Sequence, residues 1–379
     1  MVSTKKDPVL AVLSLSGGND GLNTVILRNN GLYRDARPTL GIPEDQIIPI
    51  NDQLGFHPTM APLKKFWDEG KLAIFLGVGY ATPSYSHFRS MDIWHTCEPD
   101  TVGTEGWLGR ATKAMDPSNE NVLTTVNFGR GLPRALVMEG VPVASVGDLS
   151  TYGLLTGIEG EDLRGQALDV FGRMYSPAVG RGAVMDYIHS TGTNALKGAD
   201  ILATAPDNYT STVEYSDTAV GQYMKNIAQT HLAGFGTRIL YTTSPYNSFD
   251  THANQAALHS GLWSNVSETV ENFFADLREH DASDNVTLLM FTEFGRRIVD
   301  NGSGTDHGAS GIAFAVGEHV KGGIYGEYPS LEAGKQEDGG NLKSSTDFRS
   351  IYTSIVEDWL HLDAPSIVGG KFESMKFFG

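Results

Sequence analysis

The chain has 379 residues, 40% of them hydrophobic and 19% charged, and a formal net charge of -17. Those proportions fit a globular protein with a large core and exclude a disordered chain. The acidic surplus argues against nucleic acid or anionic lipid as partner, since both are held by clustered Lys and Arg, although a metal ion or a local arginine pocket can still hold a small anion.

At the N-terminus, Lys5 and Lys6 precede an apolar run, Val9–Leu15. The run is too short for a signal peptide and leads into Ser16-Gly-Gly-Asn-Asp20 rather than a cleavage site, so it reads as a first buried strand. The sequence as given is therefore expected to be cytoplasmic; a removed leader would make it an exported, periplasmic protein. Asp20, in the glycine-rich loop after that strand, either forms an Asx-turn or ligates a metal. Ala61–Glu69 is predicted helical with Gly70 as its stop, and Leu72–Val78 is the second strand.

The polar loop Tyr80–His87 follows. Ser86 there offers a nucleophile, with His87 beside it and Arg89 placed to hold an anion; the same serine also suits the N-cap of a helix over Ser90–His95. His57 and the segment Trp107–Arg110 read as packing residues. The single Cys97 excludes an intramolecular disulfide. Between residues 150 and 235 the helical patterns are broken by Gly, Ser and Thr, which predicts an insertion or cap within one domain spanning residues 1–379.

Thr237–Thr242 is the third strand, and Asp250 and His252 follow it at i and i+2, on one side of an extended loop. Leu262, Val266, Val270, Phe273, Phe274 and Leu277 make a helical stripe ending near His280. Strand Val286–Phe291 leads to Glu293 and Arg296, and Asp306-His307, between glycines, precedes strand Ile312–Val316. No stretch approaches the roughly 18 to 20 apolar residues of a membrane span.

Strands and helices alternating in this way predict an α/β fold, a three-layer sandwich with helices on both faces of an open sheet. Ligands of such sheets collect beyond the carboxyl ends of the strands. Asp20, Asp250, His252, Glu293, Asp306 and His307 are thus the candidate metal ligands, and Ser86, His87, Arg89 and Arg296 the candidate catalytic residues. Imidazole nitrogen favours a divalent ion such as Zn or Mn over Ca or Mg.

The motifs Ser16-Gly-Gly-Asn-Asp-Gly21, Tyr33 with Arg37-Pro38, Gly55-Phe-His-Pro58, Ser86-His-Phe88, Gly106–Arg110, Asp250-Thr-His252, Glu293–Arg296, Gly304–Gly308 and Asp347-Phe-Arg349 run through nearly the whole chain. In this order they resemble a bacterial family known as domain-of-unknown-function family 1501, within the alkaline phosphatase-like and sulfatase superfamily. The resemblance implies an alkaline phosphatase-type α/β/α sandwich. It also implies a metal-dependent hydrolase or transferase of phosphate or sulfate esters, acting through Ser86 on a small anionic substrate. Two departures bear on the site: Glu293 stands where Asp is usual, and Phe294 stands where a His ligand would follow. A single ion or an altered pair is the expectation. The sulfatase signature Cys-x-Pro-x-Arg is half present at Cys97-Glu-Pro99, with Thr101 in place of Arg. A mutase or lyase, or a binding protein that kept the fold without the chemistry, are the alternatives.

Overall fold

The computed structural model describes residues 6–147 and 209–379, together with Leu149, residues 198–207 and scattered positions between 163 and 194. Its centre is a nine-stranded sheet. In chain order the strands are β1 (Val9–Ser14), β2 (Leu72–Gly79), β3 (Thr125–Phe128), β4 (Ala144–Val146), β5 (Ile239–Thr243), β6 (Val286–Phe291), β7 (Gly311–Gly317), β8 (Gly323–Tyr325) and β9 (Thr346–Asp347). Across the sheet they run β8-β2-β7-β6-β1-β5-β3-β4, with β9 also pairing β2.

Every pairing is parallel except those of β7, which lies antiparallel to both β2 and β6. The reversal decides where the site forms. It brings the N-terminal end of β7 to the edge where β1, β2, β3, β5 and β6 end.

β1, β2 and β6 are buried at every residue, as strands covered on both faces must be. Along β1, Val9, Ala11 and Leu13 face one core while Leu10 and Val12 face the other. The first core is closed by three helices, α1 (Ala61–Asp68), α4 (Ala219–Leu232) and α5 (Gln255–Glu279). Trp263, Val266, Val270, Phe273, Phe274 and Leu277 supply the buried stripe of α5. On the opposite face lie α2 (His87–Thr96), α3 (Trp107–Met115), α6 (Phe348–Ser354) and α7 (Ala364–Val368). The expected three-layer α/β/α sandwich is borne out. A small three-stranded sheet, Val25–Leu27, Ile48–Pro49 and Leu54–Phe56, stands apart from the main one.

The predicted strands are found with ends shifted by no more than two residues, and α5 begins at Gln255, upstream of its apolar stripe. Much of the insertion expected over 150–235 lies outside the described residues. Within that range, α4 packs Val220, Met224, Ile227 and Ala228 into the first core as part of the helical layer. Among the described residues no helix is long and apolar enough to cross a membrane.

Candidate functional site

Loops from adjacent strand ends meet above this edge of the sheet. Gly17, after β1, has φ +120, and a Cβ there would lie 2.5 Å from the Asp250 backbone nitrogen. Only glycine admits that approach. At Gly304 a Cβ would come within 2.3 Å of the Thr251 carbonyl, so the loop before β7 can press against the loop after β5. Thr305 N–H donates to the Thr251 carbonyl, and an antiparallel bridge joins Arg296 to His307.

His87, Asp250 and His307 consequently offer donor atoms that all lie within 4.8 Å of one another. His252 Nε2 adds a fourth, 3.0 Å from Asp250 Oδ1 and 3.0 Å from His307 Nε2. The tautomers follow from the other ring nitrogens. His87 Nδ1 lies 2.8 Å from Glu293 Oε1, His307 Nδ1 is 2.7 Å from the Tyr85 carbonyl, and His252 Nδ1 is 3.3 Å from Asp306 Oδ1. Each of those partners is an acceptor, so each Nδ1 carries a hydrogen and Nε2 is the ring atom turned inward.

Three inward lone pairs beside one carboxylate repel one another unless a proton or a cation stands between them. His87 Nε2 is buried and makes no hydrogen bond although Asp250 Oδ2 is 3.3 Å away. An orphaned buried nitrogen is what a metal ligand looks like without its ion. The residues therefore fit a divalent ion, and three imidazoles with one carboxylate make a donor set suited to zinc or manganese.

The charges are set by what lies behind. Burial alone would raise the pKa of Asp250, but the hydrogen bond and charge of Arg296 outweigh it, helped by His307 and His87, and hold the carboxyl below its usual range. For His87, burial opposes the charged ring, yet the Glu293 hydrogen bond and the charges of Glu293 and Asp250 leave its pKa above the ordinary 6.5. Burial lowers that of His307, against the partial offset of the Tyr85 carbonyl. Phe294 is buried with its ring 4.8 Å from that of His87 and 4.9 Å from that of His307. An apolar wall thus backs both imidazoles at the position that the sequence marked as a departure, Phe in place of a His ligand.

Several expectations are corrected by this placement. Asp20 is fully buried away from the cluster, gripped by Arg37 through Nη1 to Oδ2 at 2.6 Å and Nη2 to Oδ1 at 3.0 Å, with the Gln255 amide as a further donor. A carboxylate so occupied serves the arginine, and it is not among the donor atoms that converge at His87, Asp250 and His307. Glu293 accepts from Gly17 N–H, from Thr292 Oγ1 and from His87, and so stands behind a histidine instead of facing an ion. Asp306 likewise backs His252.

Arg296 is buried, and its guanidinium donates to the carbonyls of Gly17, Gly18, Phe249 and Thr305 as well as to Asp250. Arg89 is tied to Asp92 and to the carbonyls of Glu98 and Pro99. Neither arginine has its fork free for an anion. Ser86 is the N-cap of α2 but makes no side-chain capping bond, and its exposed side chain opens onto a hollow beside Arg89, Asp92 and Arg134.

What sequence reading missed is the neighbouring cleft, of ≈ 280 Å³, with His87 and Glu293 in its lining. Ser16, Arg130 and Tyr246 also line it, brought there by the ends of β1, β3 and β5. β3 is four residues long with two polar side chains, so nothing in the sequence flagged a strand end at Arg130.

No curated protein sequence matches the chain. Among solved structures it is similar to a phosphonate monoester hydrolase from Silicibacter pomeroyi, at 12% identity and a TM-score of 0.45 over 98% of this chain and 76% of that one. It is also similar to a lipoteichoic acid synthase from Listeria monocytogenes, at 10% identity and a TM-score of 0.41 over 99% of this chain and 75% of that one. The recognition made from the motifs is borne out by a family model, described as Protein of unknown function (DUF1501), which matches residues 190–347.

Proposed function

We propose that this chain is a metal-dependent hydrolase or transferase of phosphate or sulfate esters, with His87, Asp250, His252 and His307 holding the ion. One observation carries the reading: three imidazoles turn their Nε2 atoms toward a single carboxylate, each with Nδ1 turned to an oxygen acceptor. The ester class rests on the resemblance of the motif series to alkaline phosphatase-like enzymes. When bound, the ion supplies Lewis-acid polarisation of an ester oxygen and offsets charge on the equatorial oxygens.

The chain's own residues prepare that chemistry. Glu293 fixes the tautomer and direction of His87, Arg296 keeps Asp250 ionised, and Phe294 excludes water from behind the rings. Ser86 is the proposed nucleophile, one residue before His87. A second reading, direct attack by water, is favoured by the hollow onto which Ser86 opens, whose lining does not include His87. The two differ in whether a covalent phospho- or sulfo-serine forms.

The purified protein is expected to hold a stoichiometric Zn or Mn ion and to hydrolyse an activated aryl phosphate or sulfate, and His307→Ala should lose both properties. If His307→Ala folds and keeps its full metal content, the ion site is wrong. A metal-loaded protein inert across a broad ester panel would instead be a binding protein on this fold.

A further inference from the structure

The cleft beside the ion site has a composition the proposed reaction does not by itself require. Among the described residues, Phe88 is 79% exposed, Tyr246 71% and Leu132 46%, and all three line this one cleft. Large apolar side chains scattered singly over a surface need no explanation, whereas several gathered at one concave site mark a place where something apolar docks. They come from separate elements: Phe88 from the first turn of α2, Leu132 from the loop after β3 and Tyr246 from the loop after β5. The cleft shares His87 with the cluster, and Glu293, which backs that ring, lines it as well.

Charge on the cleft is equally selective. Arg130 is exposed at its edge and makes no hydrogen bond or ion pair with any described residue. Arg89, Arg134 and Arg296 are all engaged with carboxylates or carbonyls. Among the described residues Glu293 is the one acid lining the cleft, and His87 is hydrogen-bonded to it. In a protein of net charge -17, an uncommitted guanidinium on a cleft that shares His87 with a metal-type cluster is a local attractor for an anion, and its fork matches phosphate or sulfate oxygens. The volume, ≈ 280 Å³, lies just below the range of drug-sized pockets and suits a single ring with its ester group rather than an extended chain.

We propose that this cleft binds the substrate, with Arg130 on the anionic oxygens of the ester and the walls of Phe88, Leu132 and Tyr246 around an aromatic alcohol moiety. The preferred substrate class is therefore an aryl monoester rather than a small alkyl or sugar ester. The assignment rests on the ion-site reading above, because it places the ester group next to His87.

The test is equilibrium binding of phenylphosphonate and methylphosphonate to the metal-loaded protein by calorimetry, with metal content measured on the same samples. Phenylphosphonate is expected to bind about tenfold or more tightly than methylphosphonate, the contribution of one ring stacked on aromatic side chains. Arg130→Ala should weaken both ligands by about 10- to 100-fold, as loss of a charge-assisted bond does. Phe88→Ala and Tyr246→Ala should weaken only phenylphosphonate, toward the affinity of the methyl compound. These side chains are exposed, so the variants are expected to fold. Equal affinity for the two phosphonates, or no change in Arg130→Ala, in a protein that takes up its ion overturns the cleft assignment alone. A protein that takes up no ion overturns the ion reading, and the cleft assignment falls with it.

Discussion

Replacing Arg37 by Met is the sharpest test of where the carboxylates stand. The Asp20 and Arg37 side chains are both wholly buried. Besides its two bonds to Asp20, the guanidinium donates Nε to the Ile298 carbonyl at 2.6 Å and Nη2 to the Arg297 carbonyl at 2.9 Å. Burial alone would raise the pKa of Asp20, but the charge and hydrogen bond of Arg37 keep it below the usual carboxylate range. Arg37→Met therefore strands a buried carboxylate, with the Gln255 amide as its side-chain donor, and leaves two carbonyls short of a partner. Breaking a buried pair from one side costs about 3–5 kcal/mol. With an unfolding entropy of roughly 2.1 cal/mol/K per residue, a chain of this length should lose about 4–6 °C in Tm.

Removing both charges in Asp20→Asn/Arg37→Met should cost less than the sum of the single changes, since neither partner is then left charged alone. Thermal unfolding of the four proteins measures the cycle, and metal analysis on the same samples completes it. Asp20→Asn is expected to lose stability and keep its ion. A folded Asp20→Asn protein that binds no metal would refute the reasoning, because Asp20 would then be a ligand and its pairing with Arg37 secondary.

Three further outcomes are expected. Glu293→Gln should lower metal affinity by about 10- to 100-fold, the usual effect of losing the group that orients a ligating histidine, as measured by competition with a chelator. Ser86→Ala should abolish turnover of an aryl ester without shifting the melting temperature; normal turnover in that variant would move the attack to water. Stability should fall as pH drops from 6.5 toward 4, because burial pushes His57 and His95 down to about 4 and His259 to about 3. These folded-state values lie below the unfolded one, so the unfolded chain takes up protons first and stability is complete only above pH 6.5. Each such histidine contributes a slope of about 1.4 kcal/mol per pH unit in that window. Equal melting temperatures at pH 7 and pH 5 would contradict the burial of these rings.

The strands most legible in the sequence were those buried on both faces. Val9–Ser14 and Val286–Phe291 are apolar but for Ser14 and Thr287, and their burial in the sheet centre is the physical reason for the pattern. Thr125–Phe128 and Ala144–Val146 escaped notice because they are short and carry polar residues; their existence depends on pairing with β5 and with each other. Nothing local announces that β7 runs against its neighbours. That reversal explains how His307, which precedes its strand, meets Asp250 and His252, which follow theirs.

Ligand chemistry was legible as residue type, but a carboxylate's role depends on what faces it, and that is a tertiary fact. Asp20 and Asp250 looked alike in sequence, each just beyond a strand. Both turn out to be held by a buried arginine, yet with different consequences. Arg37 takes both oxygens of Asp20, so that carboxylate acts as a brace between the first loop and the segment around Ile298. Arg296 donates to Oδ1 of Asp250 alone, leaving Oδ2 3.3 Å from the unpartnered Nε2 of His87. One arginine closes its carboxylate and the other keeps one charged and half free. The sequence motifs Arg37-Pro38 and Glu293–Arg296 each acquire a role from this difference. The first keeps a carboxylate out of the histidine cluster, and the second holds the remaining one ionised within reach of three imidazoles.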